Sequence, residues 1–441
     1  MKKYDLLILG FGKGGKTLAK VASSHGKNVA IVEKSQKMYG GTCINIGCIP
    51  SKTLVHEGLE SGSFNQAFHR KEEVVSALNK KNYHNLADDE NITVLDYKAV
   101  FKSNTEVELI DDQGEFVDTL TADDIVINTG ATPVIPDIIG IDESKYLYDS
   151  TGIMNLSVQP KRLTIVGGGY ISLEFASMFA NFGTEVTVLE ASDKLMARED
   201  EEIVAHAVKD LEDKGVKFEL GALTSEFEDK DGHTVVKTNK GDFETDAVLL
   251  AIGRKPNTDL NLENTDIMLG ERGEIKVNNH LETAVKHIYA IGDVKGGMQF
   301  TYISLDDFRI VKDKLFGKGE RTTENRGAVP YTVFIDPPLS RVGLTAREAK
   351  EQGYEIKEGK IPVINIPRHK INNDSRGLFK VVIDAKTNEI LGATLYGLQS
   401  EETINIIKLA IDQKIEYTVL RDNIYTHPTM IESFNDLFNE N

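Results

Sequence analysis

The sequence predicts an α/β chain built from two Rossmann-like units and a C-terminal α+β domain. Two observations carry this. A short apolar run, Tyr4 to Leu9, feeds into Gly10-Phe11-Gly12-Lys13-Gly14-Gly15, and the arrangement recurs at one offset of 157 residues, relating Gly10 to Gly167, Gly12 to Gly169, Gly26 to Gly183 and Glu33 to Glu190. Beyond Gly319 the character changes: Tyr331 to Ile335, Phe379 to Ile383 and Ile390 to Tyr396 read as an antiparallel sheet.

In the first unit the glycines follow the pattern G-x-G-x-x-G. Gly10 makes the tight turn, Gly12 lets a pyrophosphate approach the backbone, and Gly15 lets helix and strand pack closely. A helix is expected from Lys16 to Ser24, then a strand, Val29 to Val32, ending in Glu33. An acid there can accept hydrogen bonds from both ribose hydroxyls of an adenosine. Glycines before a helix are common, so the order of strand, glycines, helix, strand and acid carries the weight.

A polar helical stretch, Glu72 to Asn85, and strand-like runs at Ile92 to Leu95, Val107 to Ile110 and Ile125 to Asn128 come next. The last meets Thr129-Gly130-Ala131-Thr132-Pro133, and Pro133, Pro136 and Gly140 mark a crossing between domains. The second unit has Leu163 to Val166 before Gly167-Gly168-Gly169-Tyr170-Ile171-Ser172, with Ser172 at the third motif position. It continues through Val186 to Glu190, a helix from Glu202 to Lys214, and Ala247 to Ile252 running into Gly253. His287 to Asp293 reads as a buried strand ending in an acid, where an ordinary aspartate would cap a helix. Helices Glu401 to Gln413 and Tyr417 to Asp422 close the chain.

At 441 residues several domains are expected. The 51 basic and 69 acidic side chains, net -18, repel phosphate backbones and anionic lipid surfaces, so neither nucleic acid nor membrane is an expected partner. Met1-Lys2-Lys3 before Leu6 to Leu9 mimics a signal peptide, but the apolar run is short and lysines resume at Lys13. A cytoplasmic protein is therefore expected. Its two cysteines, Cys43 and Cys48, flank four residues and can close a disulfide. In a reducing compartment such a pair is more often redox-active, catalytic or metal-binding than structural, and no further ligands for zinc stand nearby. Lys52, one turn past Cys48, favours thiolate over thiol.

Gly40-Gly41-Thr42-Cys43-Ile44-Asn45-Ile46-Gly47-Cys48-Ile49-Pro50-Ser51-Lys52, together with the two glycine turns, resembles the class I pyridine nucleotide-disulfide oxidoreductases, the family of glutathione reductase, dihydrolipoyl dehydrogenase and mercuric reductase. The resemblance spans essentially the whole chain. It implies FAD and NADH as cofactors, with NADPH possible, and no metal. It also implies an FAD-binding domain over 1–147 with a return segment over 273–325, an NAD(P)H-binding domain over 148–272, and a dimerisation domain over 326–441. FAD would be held by Gly10, Gly12, Gly15, Glu33, Thr42, Lys52, Gly130, Asp293 and Thr301. NAD(P)H would be held by Gly167, Gly169, Tyr170, Ser172, Glu174, Glu190 and Gly253, with Glu174 also paired to Lys52. Cys48 would face the flavin and Cys43 the substrate. In a homodimer, His427 of Thr426-His427-Pro428-Thr429 would complete the partner's site as general acid/base, oriented by Glu432. Ile431 stands where the family usually has serine.

Departures narrow the substrate. The chain lacks the second cysteine pair of mercuric reductase, and Tyr425 replaces the second histidine of dihydrolipoyl dehydrogenase. Glu190-Ala191-Ser192-Asp193 would repel the 2'-phosphate of NADPH. Met38-Tyr39 leading into the redox motif, Gln299 to Asp307 and Arg421 to Tyr425 are most similar to the hypothiocyanous acid reductases and reactive-chlorine-resistance flavoproteins of the mercuric-reductase-like branch. That resemblance implies a small-molecule oxidant, hypothiocyanous acid, reduced to thiocyanate and water. The alternatives are reduction of Cu(II), Hg(II) or a low-molecular-weight disulfide, and a redox-sensing flavoprotein.

Overall fold

The computed structural model describes residues 2–60 and 62–439. Lys2–Leu9 becomes the central strand of the first sheet because its second half is apolar throughout, and Leu6 to Leu9 are all buried, as a parallel strand covered on both faces requires. It pairs in parallel with Val29–Val32 and with Phe116–Ile127, in the registers Leu6↔Val29 and Leu7↔Ile125. Ile92–Leu95 extends one side, and Ile288–Ala290 joins Phe116–Ile127 from far along the chain. Lys98–Phe101 and Glu106–Ile110 add an antiparallel ribbon, giving seven strands.

The second unit repeats the plan with a parallel sheet ordered Lys217–Leu220, Glu185–Glu190, Arg162–Val166, Ala247–Leu250 and Leu147–Tyr148. Thr224–Lys230, His233–Thr238 and Gly241–Thr245 form a separate antiparallel sheet. The crossing expected near Pro133 is a paired ribbon: Ala131–Pro133 runs antiparallel to Arg254–Pro256. The C-terminal sheet has five antiparallel strands in the order Tyr331–Val333, Leu339–Gly343, Ile390–Tyr396, Leu378–Asp384 and Ile356–Pro362. The helix Ser400–Asp412 buries Ile404 and Ile407 in the core beneath this sheet.

Two helices and one strand end differ from expectation for local reasons. The first starts at Lys13 because Gly12 is already its extended N-cap, and Lys16 N–H bonds back to the Gly12 carbonyl at 3.0 Å. The polar stretch belongs to a longer helix, Phe64–Ala87, capped by Ser63 and anchored by buried Phe64, Ala67 and Phe68. Asp293 does not cap a helix; it lies inside the 3-10 turn Gly292–Lys295.

One core cluster fixes the parts that matter. Leu54 of the helix Cys48–Leu59 shares it with Phe64 and Phe68, with Phe175 and Phe179 of the helix Tyr170–Asn181, and with Val333 and Tyr396 of the C-terminal sheet. The helix carrying Cys48 is thereby packed against the second unit and the last domain at once.

Candidate active site

Each glycine turn is shaped by its neighbours. Gly10 adopts φ +101°, and a Cβ there would stand 2.4 Å from the Asn128 carbonyl oxygen. A Cβ on Gly12 would stand 2.5 Å from Asn128 Oδ1, and one on Gly15 2.8 Å from Ile8 Cγ2. No side chain caps the helix behind this turn, which leaves its N-terminus open for an anion. The acids act alike at the one offset. Glu33 accepts from Phe11 N–H at 3.1 Å and Ser35 N–H at 3.2 Å; Glu190 accepts from Gly168 N–H at 2.5 Å and Ser192 N–H at 2.7 Å. Burial pushes the Glu33 carboxyl up while these amides pull it down.

The second turn differs in its lining. Gly167 adopts φ +110°, but a Cβ on Gly169 would meet nothing within 4 Å, so the protein itself leaves that position open. Ser172 is fully buried in the packed face of its helix. Tyr170 opens the helix and donates from its hydroxyl to buried Glu199 at 2.5 Å, an acceptor it shares with Tyr331 at 2.5 Å. Gly253, at φ +126°, accepts from Val134 N–H at 3.0 Å beside the ribbon between the units.

Cys43 and Cys48 are free thiols in hydrogen-bonding contact, Cys43 half-buried and Cys48 open to solvent on one side. Thr301, first residue of the helix Thr301–Phe316, places its hydroxyl 3.5 Å from Cys48 Sγ. Lys52 Nζ lies 2.5 Å from Glu174 Oε2. The Cys48 thiol is pushed down to about 6 by its hydrogen bond with Cys43, against crowding by the surrounding protein, with Thr301 and Lys52 lowering it further. Cys43 moves the opposite way through the same hydrogen bond and burial. Of the two, Cys48 is the more readily deprotonated. Thr42 precedes it in the short helix Thr42–Asn45, its hydroxyl 3.8 Å from where a Gly130 Cβ would stand.

His427 stands apart on the C-terminal domain, 71% exposed, with Nδ1 2.7 Å from Glu432 Oε2. Glu432 Oε1 accepts from Thr429 N–H at 3.2 Å, so Thr429 anchors the carboxylate with Ile431 in the serine position.

The sequence matches the Pyridine nucleotide-disulphide oxidoreductase family over residues 4–307 and that family's dimerisation domain over 329–438. The chain belongs to the pyridine nucleotide-disulphide oxidoreductases. Among its relatives in this family is the probable pyridine nucleotide-disulfide oxidoreductase RclA of Escherichia coli K12, 48% identical over 99% of each chain. A mercuric reductase of Staphylococcus aureus is 33% identical over 97% of this chain and 81% of its own. The solved Cu(II) complex of the HOCl-induced flavoprotein disulfide reductase RclA from Escherichia coli superposes with a TM-score of 0.97, at 48% identity and 99% coverage of both chains.

A pyridine nucleotide-disulphide oxidoreductase uses FAD and NAD(P)H, and the residues present fit both. The uncapped helix after Gly12 and the open Gly169 suit pyrophosphates. Glu33 and Glu190 stand at the strand ends where riboses would lie. Burial pushes the Asp293 carboxyl up, while Arg254 and Lys295 face it and draw it down. Among the described residues no helix is long and apolar enough to cross a membrane, and no group of three or more His, Cys, Asp or Glu could hold a metal ion.

Sequence reasoning missed three residues of this oxidoreductase site. Asn128 Oδ1 accepts from Gly15 N–H at 2.9 Å and its Nδ2 donates to the Ile291 carbonyl at 2.9 Å, so it locks the first turn to the return strand. Ser304 Oγ accepts from Gly14 N–H at 3.1 Å. Glu199 gathers two tyrosines and lies 3.5 Å from Arg341. Asn128 ends a strand in a run already marked for its turn, and that was the only available signal.

Proposed function

We propose that the protein reduces hypothiocyanous acid to thiocyanate and water, using NADH through FAD and the Cys43–Cys48 pair. The observation that carries this reading is the arrangement of the two sulfurs: Cys48 in contact with Cys43, 3.5 Å from the Thr301 hydroxyl and on the helix that also carries Lys52. Bound FAD, reduced by NADH, supplies the electron pair that opens the disulfide. Cys43 gives up its proton to His427 and attacks the electrophilic sulfur of the oxidant. The S–O bond breaks, hydroxide leaves, and a proton from His427 turns it into water. The Cys48 thiolate then attacks Cys43 sulfur and expels thiocyanate, closing the disulfide. Two thiol electrons reduce one oxidant molecule.

The HOCl-induced character of the 48% identical relative supports a reactive oxidant as substrate. Glu190 and the exposed Asp193 support NADH over NADPH, since their charge opposes a 2'-phosphate. The dimerisation-domain match and the exposed Ile364, Ile371, Leu409, Val419 and Ile424 of the C-terminal domain support a homodimer in which His427 serves the partner's thiols. The domain division at 147, 272 and 325 and a cytoplasmic setting belong to the same proposal. A second reading is Cu(II) reduction, favoured by the relative solved as a Cu(II) complex.

Steady-state NADH oxidation by the purified flavoprotein, with hypothiocyanous acid, oxidised glutathione, lipoamide, Hg(II) and Cu(II) compared, tests the assignment. Hypothiocyanous acid is expected to give the highest kcat/KM. Faster turnover with Cu(II) would move the function to the second reading.

A further inference from the structure

Gly12 and Gly41 bring two parts of the chain into backbone contact. A Cβ on Gly41 would stand 2.7 Å from the Gly12 Cα, so the turn leading to Cys43 lies directly on the first glycine turn. Lys16 rises from the same place, its N–H bonded to the Gly12 carbonyl at 3.0 Å. Its ammonium donates to Asn82 Oδ1 on the helix Phe64–Ala87. Asn82 packs on the redox stretch: a Cβ on Gly40 would lie 3.1 Å from Asn82 Cγ and 3.0 Å from Ile44 Cγ1. A half-buried cation is thereby fixed beside residues 40–44, and neither the flavin motif nor the thiol chemistry above gives it a task.

We propose that Lys16 is a positioning residue for the substrate-facing sulfur, its fixed ammonium stabilising Cys43 as the attacking thiolate. This rests on the reading in which Cys43 meets the substrate. The charges divide between the sulfurs. Cys43 is faced by Cys48, the Thr301 hydroxyl and Lys16. Cys48 is faced by Cys43, Thr301, Lys52 and Glu174, and the Tyr302 phenol faces Cys48 in turn. Lys16 itself is reached by Lys13 and Cys43. Each thiol therefore has its own lysine, Lys52 for Cys48 and Lys16 for Cys43. Burial and Lys13 push Lys16 down to about 8, so it is cationic at neutral pH and loses its charge above that. A cation at this place favours loss of the Cys43 proton before attack and, afterwards, departure of an anion from the same sulfur.

Cys48→Ser makes Cys43 the sole thiol of the chain. In flavin-loaded protein, the pH profile of Cys43 alkylation by iodoacetamide is compared among Cys48→Ser, Cys48→Ser/Lys16→Met and Cys48→Ser/Lys16→Arg. Lys16→Met is expected to slow alkylation about tenfold at pH 7, with the two profiles converging above about pH 8, where Lys16 loses its charge. Lys16→Arg should bring the profile back toward the parent, because the charge is kept. Asn82→Leu, which unmoors the amine, covers the case in which Lys16→Met fails to hold flavin, and should slow alkylation at pH 7 in the same way. Coincident profiles for the parent and the neutral or unmoored variant, or an Arg variant no better than Met, would overturn the role. Iodoacetamide replaces the oxidant, so the outcome does not depend on which oxidant the protein reduces.

Discussion

Lys52 Nζ lies 2.5 Å from Glu174 Oε2, tying the helix that carries Cys48 to the helix behind the second glycine turn. Glu174 Oε1 also accepts from Phe334 N–H at 2.8 Å, and the Lys52 ammonium sits 4.9 Å from the Phe334 ring centroid. One ion pair thus joins the thiol helix, the second nucleotide unit and the C-terminal domain. Because the pair is partly exposed, its worth lies in where it holds the cation more than in stability.

The Cys48 value of about 6 gives a signed pH dependence. Its folded value is depressed, so the thiolate is present above about pH 6 and is lost as pH falls through it. In two-electron-reduced protein, the long-wavelength thiolate–flavin absorbance should fade on acidification with a midpoint near that value. Thr301→Val should raise the midpoint by about one unit, and Lys52→Met by a smaller amount in the same direction.

His427 and Glu432 form a unit at 2.7 Å on the exposed edge of the last domain. His427→Gln should slow reoxidation of the thiols by roughly 10²-fold while leaving flavin reduction by NADH unchanged. Glu432→Gln, which keeps the shape and removes the charge, should slow the same step by roughly tenfold. Stopped-flow measurement of the two half-reactions separates these effects.

The parts legible in the sequence were those whose chemistry repeats locally. The offset between Glu33 and Glu190 is visible in the letters, and in the structure both carboxylates bond the amide of the residue after the first glycine, Phe11 and Gly168. Cys43, Cys48 and Lys52 were visible for the same reason, since one short segment holds them. Contacts between distant segments left little trace. Glu199 reads as one acid in a charged run, yet it sits buried beneath Tyr170 and Tyr331 because the C-terminal sheet folds over it. Ser172, at the third motif position, lies fully buried because its helix face is turned inward.

Asn128 is buried and holds two polar groups from separate segments, Gly15 N–H and the Ile291 carbonyl. Asn128→Ala leaves both without a partner and should cost about 2–6 kcal/mol, at about 1–3 kcal/mol for each buried group. Denaturant unfolding of the holoprotein reads the loss, and weaker flavin retention should accompany it.

The proposed preference for NADH rests on Glu190 and Asp193, whose charge opposes a 2'-phosphate. NADH should exceed NADPH in kcat/KM by about tenfold or more, and Asp193→Arg with Ser192→Arg should narrow or reverse the ratio. Steady-state kinetics with both nucleotides at fixed oxidant checks this.

A single-turnover thiol count on protein reduced by one equivalent of NADH under anaerobic conditions tests the central chemistry most directly. One equivalent of hypothiocyanous acid should consume both thiols and release one thiocyanate, with Cys43→Ser releasing none at that rate. Thiols that persist after mixing, or a Cys43→Ser protein that reacts as fast as the parent, would contradict attack by Cys43 and closure by Cys48.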